Sequence, residues 1–262
     1  MLSYWEKSSF IHHDLIVVGG GIVGLSTALH FQLAHPKKKV AIIERGLFPS
    51  GASTKNAGFV CFGSISELAE NARTDSQDEL LSLVEKRYKG GLELRQLLGN
   101  PNIDYRPVGG YELDFQGDLH ERMYTFNDWL KPLFSNPVFS DARDKIPAFG
   151  FDQTKVKGLV KNQFEGSIDT GKMMEAFARK AREAGVQFYT QTEVLHYVEQ
   201  TNGVEVAVST TDGPLQLFTV QLALCTNAFT KTLLPDADLE PGRGMVVITK
   251  PLTWAPPQGT FH

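Results

Sequence analysis

Residues Asp14-Leu15-Ile16-Val17-Val18-Gly19-Gly20-Gly21-Ile22-Val23-Gly24-Leu25 narrow the folds open to this chain more than any other stretch. The apolar, β-branched run Leu15–Val18 reads as a strand buried on both faces, as strands of parallel sheets are. It enters Gly19-x-Gly21-x-x-Gly24 and then Leu25–Phe31, whose spacing is helical. The glycines answer three steric demands. Gly19 permits the tight turn, Gly21 lets a pyrophosphate approach bare backbone, and Gly24 lets the helix lie close on the strand. The helix N-terminus presents free N–H groups and the positive end of its dipole. A second strand, Lys39–Ile43, ends in Glu44, a carboxylate placed to accept hydrogen bonds from a ribose diol and to repel a 2′-phosphate. Strand, glycine turn, helix and acidic strand tip together are the setting in which this pattern signals an adenine dinucleotide. The other reading is a purely structural βαβ unit. The pattern does not choose between flavin and nicotinamide.

The 262-residue chain is 42% hydrophobic and 21% charged, with a net charge of −4. That balance suits a soluble protein of one large domain or two intertwined ones. Mild acidity gives neither nucleic acid nor an anionic membrane a reason to bind. Cys61 and Cys225 form no disulfide framework and no CxxC pair, so a reducing, cytoplasmic setting is expected. Met1–Lys7 lacks a basic stretch followed by an apolar core, so no signal peptide is expected. The Leu15–Leu25 run is too short and too glycine-rich to span a bilayer. Lys37, Lys38 and Lys39 read as a solvated turn after a helix that Pro36 ends.

Met1–His13 reads as a polar lead-in, with His12 and His13 on the surface. After Glu44, the stretch Arg45–Val60 is dense in small and turn-forming residues, and a loop so long inside a compact domain is usually functional. Its small residues would let backbone lie flat on a large planar ligand, and Ser53, Thr54, Lys55 and Asn56 supply donors. A plain surface loop fits the same residues. Glu67–Gly99 has the spacing of one long helix or two in tandem, with Gly90-Gly91 as a break or kink. Val108–Phe115 alternates as a strand, Leu119–Phe134 is helical, and Pro137–Lys157 reads as loop. Thr170–Ala184 is a helix stopped by Gly185, followed by a strand at Val186–Tyr189. Thr192–Glu199 and Val204–Thr210 flank the hairpin signal Asn202-Gly203, and Phe218–Ala223 is a third strand of that meander. Leu222–Ala228 reads as a strand returning toward the first sheet.

In this order the motifs resemble the amine and amino-acid oxidoreductases of the D-amino-acid oxidase superfamily, the group holding glycine oxidase, sarcosine oxidase and γ-glutamylputrescine oxidoreductase. Gly51-Ala52-Ser53-Thr54-Lys55-Asn56-Ala57-Gly58 is similar to the GAS-x-x-N-x-G segment of its flavin members. Gly109–Leu113 resembles the first substrate-domain strand, and Glu165-Gly166-Ser167-Ile168-Asp169 the G-x-[VI]-D turn. Thr192-Glu193-Val194 is similar to the strand whose valine backbone meets adenine. Cys225-Thr226-Asn227-Ala228-Phe229 resembles the A-T-N-A/G segment beside the pyrophosphate. Pro241-Gly242-Arg243-Gly244-Met245-Val246 resembles a P-x-R-G-Q-x strand, with Met245 where glutamine is usual.

The resemblance implies an α/β fold: a Rossmann-like FAD-binding domain with a β-meander, interleaved with an incomplete α+β substrate domain. The implied FAD domain takes residues 1–95 and 151–238, and the substrate domain 96–150 and 239–262. FAD would lie with its phosphates over Gly19, Gly21, Ile22, Val23 and Gly24, its ribose on Glu44 and its adenosine beside Arg45. Val194, Thr226 and Asn227 would line the same half, and Ser53, Lys55, Asn56, Ala57 and Gly58 the flavin half. Lys55 stands where many members carry arginine, a weaker clamp. The implied reaction oxidises a C–N bond of a small amine or amino acid by hydride transfer to flavin N5, with oxygen or another acceptor reoxidising the flavin. Family members continue for roughly a hundred residues more. That remainder would complete the substrate domain and carry the last glycine-rich flavin segment, so this chain is expected to be a piece. No residue here stands out as a general base: His196 reads as structural, Cys61 as packing rather than a covalent flavin link, and Arg106 and Tyr111 as either cavity or packing residues. A nicotinamide dehydrogenase is disfavoured by the Gly51–Gly58 loop and the meander. A flavin dehydrogenase with a quinone or carrier acceptor, and a non-catalytic FAD-domain fragment, stay open.

Overall fold

The computed structural model describes residues 3–242 and 244–262. In chain order the elements are α1 (Tyr4–Glu6), β1 (His12–Val18), α2 (Ile22–Ala34), β2 (Val40–Ile43), β3 (Phe59–Val60), α3 (Ile65–Asn71), α4 (Gln77–Leu98), β4 (Gly110–Asp114), α5 (Leu119–Leu130) and β5 (Phe139–Asp141). They continue with β6 (Gly158–Asn162), β7 (Gly166–Ser167), α6 (Thr170–Glu183), β8 (Gln187–Tyr189), β9 (Glu193–Gln200), β10 (Gly203–Thr210), β11 (Gly213–Leu224) and β12 (Thr260–Phe261). Two units form, one from Met1–Asn56 with Thr170–Val246, the other from Ala57–Asp169 with Val247–His262. Residues 57–95 therefore pack with the second unit, while the implied functional division keeps them with the cofactor domain.

The first unit is a six-stranded sheet in the order β8-β2-β1-β11-β10-β9. β8, β2, β1 and β11 run parallel, and β11, β10 and β9 form the antiparallel meander. The apolar runs of β1 and β2 explain the arrangement, since each strand needs cover on both faces. Ile16, Val18, Ala41 and Ile43 pack against Val194, Val206, Val208 and Leu217 of the meander. On the helix side Leu25, Ala28 and Leu29 of α2 are buried, and α2 packs on β1, β2 and α6. Full burial of one such side chain contributes about 1.5–3 kcal/mol.

One strand does the work that the sequence divides between two. Phe218–Ala223 and Leu222–Ala228 read as a meander strand and a return strand, but β11 runs unbroken from Gly213 to Leu224. Its first half pairs with β10 and its second half with β1. The lead-in also joins the sheet: β1 begins at His12, so the alternation of a strand turns His13 inward. His13 is buried, contrary to the surface position expected of it.

The second unit holds a four-stranded sheet in the order β12-β4-β6-β5 and the pair β3–β7. Its helical core gathers Phe62, Ile65, Leu68, Leu80, Val84, Met123, Phe126 and Leu130. Glu67–Gly99 resolves into α3 and α4, each started by a serine cap, Ser64 and Ser76. The break expected at Gly90-Gly91 does not occur, because α4 is continuous there. A side chain on Gly91 would press on Val60, so this glycine serves close packing. Pro137–Lys157, loop-like with strands that the sequence alone does not place, holds the short strand β5. The Gly166-Ser167 turn is itself the strand β7, paired with β3.

The strand expected at Pro241–Val246 is a correction. Residues 244–246 carry no strand, and Arg243 lies outside the described residues. A strand needs a hydrogen-bonding neighbour, and among the described residues none pairs there; Met245 is 87% exposed. No helix among the described residues is long and apolar enough to cross a membrane.

Candidate functional site: the glycine turn and its flanking loops

The carboxyl ends of the parallel strands β2, β1 and β11 converge on the glycine turn. Gly19 leaves β1 with φ +102°, a conformation that favours glycine. A Cβ on Gly24 would fall on the carbonyl oxygen of Gly19, so the helix can approach the turn only without one. Gly21 is the N-cap of α2 and offers no side-chain cap. Of the first amides of α2, Ile22 N–H donates to Ser53 Oγ at 2.9 Å. Val23 and Gly24 lie in the same first turn, where N–H groups have no partner within the helix.

Glu44 is the hinge of the arrangement. Gly20 N–H donates to its Oε2 and Gly46 N–H to its Oε1, each at 2.9 Å. Its own backbone is fixed by Tyr189 O, which accepts from Glu44 N, and by Thr192 N, which donates to Glu44 O. An ionised carboxylate has about four acceptor positions. Two are used here, so both oxygens keep capacity for a diol.

The loop after β2 folds on itself. Asn56 Nδ2 donates to the carbonyls of Ala52 and Ser53 at 3.0 and 3.1 Å, while Lys55 is exposed. Ala57 and Gly58 open the second unit. Gly58 has φ +73°, and its carbonyl accepts from Ile168 N–H at 2.8 Å. Val194 is buried beside Ile43 in the sheet core, just after the Thr192 amide that reaches Glu44. On the other flank Cys225 N–H donates to Val18 O, Asn227 turns with φ +46°, and Thr226 Oγ1 lies 3.1 Å from Thr230 Oγ1. The Arg45 guanidinium stacks on Phe229, an aromatic ring that the sequence reading quoted without a role.

These residues fit the ADP half of FAD. The cradle is one that a side chain at Gly21 would crowd, the helix start keeps the amides of Val23 and Gly24 without a partner inside the helix, and the Glu44 carboxylate has acceptors to spare.

The remaining candidates fall outside this cradle. His196 is exposed on β9. His13 Nε2 sits 3.1 Å from Gln187 Oε1 and 3.3 Å from Tyr189 Oη, and burial pushes its imidazole below the ordinary histidine value. Arg106 is an exposed side chain paired with Asp104 at 2.9 Å. Tyr111 is buried against Phe149 and Phe261. Burial, with Glu165 and Glu67 adding to it, pushes the Cys61 thiol up to about 11, which makes it a poor nucleophile at neutral pH. Cys61 and Cys225 are both free thiols.

Sequence reasoning overlooked the buried carboxylates of the second unit. Glu112 accepts from Ile65 and Ser66 N–H at the start of α3. Glu165 accepts from Asn162 Nδ2 at 3.1 Å and Thr260 Oγ1 at 3.1 Å, and lies 3.0 Å from His262 Nε2. Apart from Asn162, their partners are distant in sequence, so no local pattern announces them.

Known proteins place the chain. The bifunctional protein ThiO/ThiG of Synechocystis sp. is 27% identical over 225 residues, which cover 85% of this chain and 31% of that protein. Glycine oxidase of Geobacillus kaustophilus is 28% identical over 196 residues, covering 73% of this chain and 49% of that protein. The crystal structure of the Geobacillus kaustophilus glycine oxidase shares the fold with a TM-score of 0.62 at 23% identity, over 85% of this chain and 57% of that one. The chain thus spans less than two thirds of the length of each. Residues 14–261 match the family model described as DAO, FAD dependent oxidoreductase, and the chain belongs to that family.

Proposed function

We propose that this chain carries the FAD-binding part of an oxidoreductase acting on a C–N bond of a small amine or amino acid. The observation that carries the reading is Glu44, whose carboxylate ties Gly20 to Gly46 beside a helix start whose N-cap is a glycine. The first unit, centred on β1, α2, β2 and the meander, carries the residues for the ADP half of the cofactor. The functional division is 1–95 with 151–238 for FAD, and 96–150 with 239–262 for substrate. Free cysteines accord with a cytoplasmic location.

Bound FAD would supply the acceptor of a hydride, at N5, from the carbon that bears the amine. The residues of this chain hold and orient it. Amides of Gly21–Gly24 would meet the phosphates, Glu44 would accept from the ribose, and Ser53, Lys55, Asn56, Ala57 and Gly58 would run along the flavin half. Thr226 and Asn227 would lie beside the pyrophosphate, and Val194 at the start of β9 beside the adenine. Positioning and exclusion of water are the protein's share of such chemistry.

The test is the visible absorption spectrum of the purified chain with added FAD, before and after denaturation. A yellow protein that releases FAD on unfolding is the expected result. Absence of any flavin binding by this chain and by a longer version of it sinks the reading. Glycine, sarcosine and small amines, assayed with oxygen and with a dye acceptor, then test the reaction and its acceptor.

A further inference from the structure

A cation–aromatic contact bridges the two strands that flank the glycine turn. β2, β1 and β11 are parallel neighbours, so Arg45 after β2, Gly19 after β1 and Phe229 after β11 leave the same edge of the sheet. The guanidinium carbon of Arg45 lies 3.8 Å from the centroid of the Phe229 ring. β1 separates β2 from β11, so this contact spans the end of β1, where the Gly19–Gly21 turn and the first turn of α2 stand. Open α/β sheets bind ligands at that edge, beside the point where strand order reverses.

Both ends of the bridge are anchored. Arg45 lies between Glu44, which holds Gly20, and Gly46, which donates to the same carboxylate. Phe229 N–H donates to Thr226 O at 3.0 Å, and Thr230 Oγ1 donates to Asn227 O at 2.7 Å, which fixes the turn that carries the ring. Phe229 is 48% exposed, so its ring is kept at the surface rather than spent on the core. An exposed arginine samples many rotamers, and a ring beneath it restricts that freedom.

We infer that Phe229 is a positioning residue whose ring holds the Arg45 guanidinium beside the glycine turn, where it meets the adenosine diphosphate half of an adenine dinucleotide. The inference rests on the FAD reading above. It predicts a preference for ligands with a nucleoside diphosphate, because only they place anionic oxygens along the helix start next to the arginine.

Calorimetric titration of the purified chain with FAD, ADP and FMN tests it. Phe229→Ala is expected to weaken FAD and ADP binding about three- to fivefold, the scale of an exposed cation–aromatic contact, and to leave FMN unchanged. Phe229→Trp is expected to restore both. In an Arg45→Ala background the Phe229→Ala change should cost nothing further, because the ring acts through the arginine. The ring-current shift of the Arg45 Nε resonance, lost in Phe229→Ala, reports the stack without any ligand. FAD and ADP affinities in Phe229→Ala unchanged from the unaltered chain, or a loss that persists without Arg45, overturn the positioning role and leave the flavin reading standing. Failure of the unaltered chain to bind FAD or ADP overturns both.

Discussion

Glu44 and Glu165 are both carboxylates that gather loops, yet they do it in opposite ways. Glu44 accepts two backbone amides of glycines and stays half-buried, with acceptor capacity left over. Glu165 is 1% exposed and is met by three side chains of its own unit, Asn162, Thr260 and His262. A carboxylate with spare acceptors beside bare glycine backbone is built to receive something. One surrounded by side chains of its own unit holds structure. The first unit is therefore organised around an opening and the second around closure.

Substitutions of glycine break that contrast most sharply. Gly24→Ala would put a methyl group on the Gly19 carbonyl, between a helix and a strand that cannot separate without losing their core. A loss of about 3 kcal/mol is expected, the upper end for overpacking, together with flavin binding. Gly51→Ala, in the neighbouring loop with nothing within 4 Å of a new Cβ, should change stability little. Urea denaturation of the two variants compares them, and equal losses would show that the turn is not the constraint.

The carboxylates come next. Glu165→Ala leaves three buried or half-buried donors without their acceptor and should cost about 2–3 kcal/mol. Glu44→Ala leaves two backbone amides, the buried one of Gly20 and the half-buried one of Gly46, without their acceptor, and about 1–2 kcal/mol is expected. Flavin affinity should respond in the reverse order, falling far more for Glu44→Ala. A Glu165→Ala variant that keeps its stability would remove the contrast.

The legible part of this fold is the part whose physics is local. The strand β1, the turn at Gly19–Gly24 and the acidic tip of β2 all lie in the single stretch His12–Glu44, and the demands on each residue type are steric or electrostatic at that position. The meander hairpin at Asn202-Gly203 was readable for the same reason. What escaped depends on contacts far apart in sequence. His13 turns inward only because β1 finds β11, and Glu165 is satisfied by Thr260 and His262, 95 and 97 residues away. The Pro241–Val246 strand rests on resemblance alone, and a segment with one proline and two glycines has little strand propensity of its own. Phe229 stands in a motif that was read, yet its contact with Arg45 requires two loops on different strands to meet.

Two histidines sharpen the comparison through pH. The Glu165 carboxylate raises the His262 imidazole above its ordinary value, with Glu112 and Glu67 adding to the effect. Its contribution to stability is full below about pH 6.5 and is lost as pH rises through the folded value. Burial lowers His13 in the first unit, with Lys39 and His12 acting in the same direction against the Gln187 bond. Its contribution is full above about pH 6.5 and is lost as pH falls through the folded value. Proton NMR titration should place the His262 midpoint above 6.5 and the His13 midpoint below it. Glu165→Gln should bring the first down and leave the second in place. Midpoints on the same side would mean that the two environments do not differ as described.

The smallest effect is chemical and leaves the fold untouched. Cys61 follows the flavin loop, where a thiol could in principle attack a cofactor, but attack requires the thiolate. With its thiol pushed up to about 11 by burial, the anion is about a hundredfold scarcer at pH 8 than for an ordinary cysteine. Alkylation by iodoacetamide under native conditions should be slower by about that factor, and should reach the rate of a free thiol once urea exposes the site. Cys225 is raised by burial as well, opposed by its contact with Thr27, and should also be slow. Rapid native labelling of Cys61 would mean that β3 and its surroundings open readily. The second unit would then share the accessibility assigned here to the first.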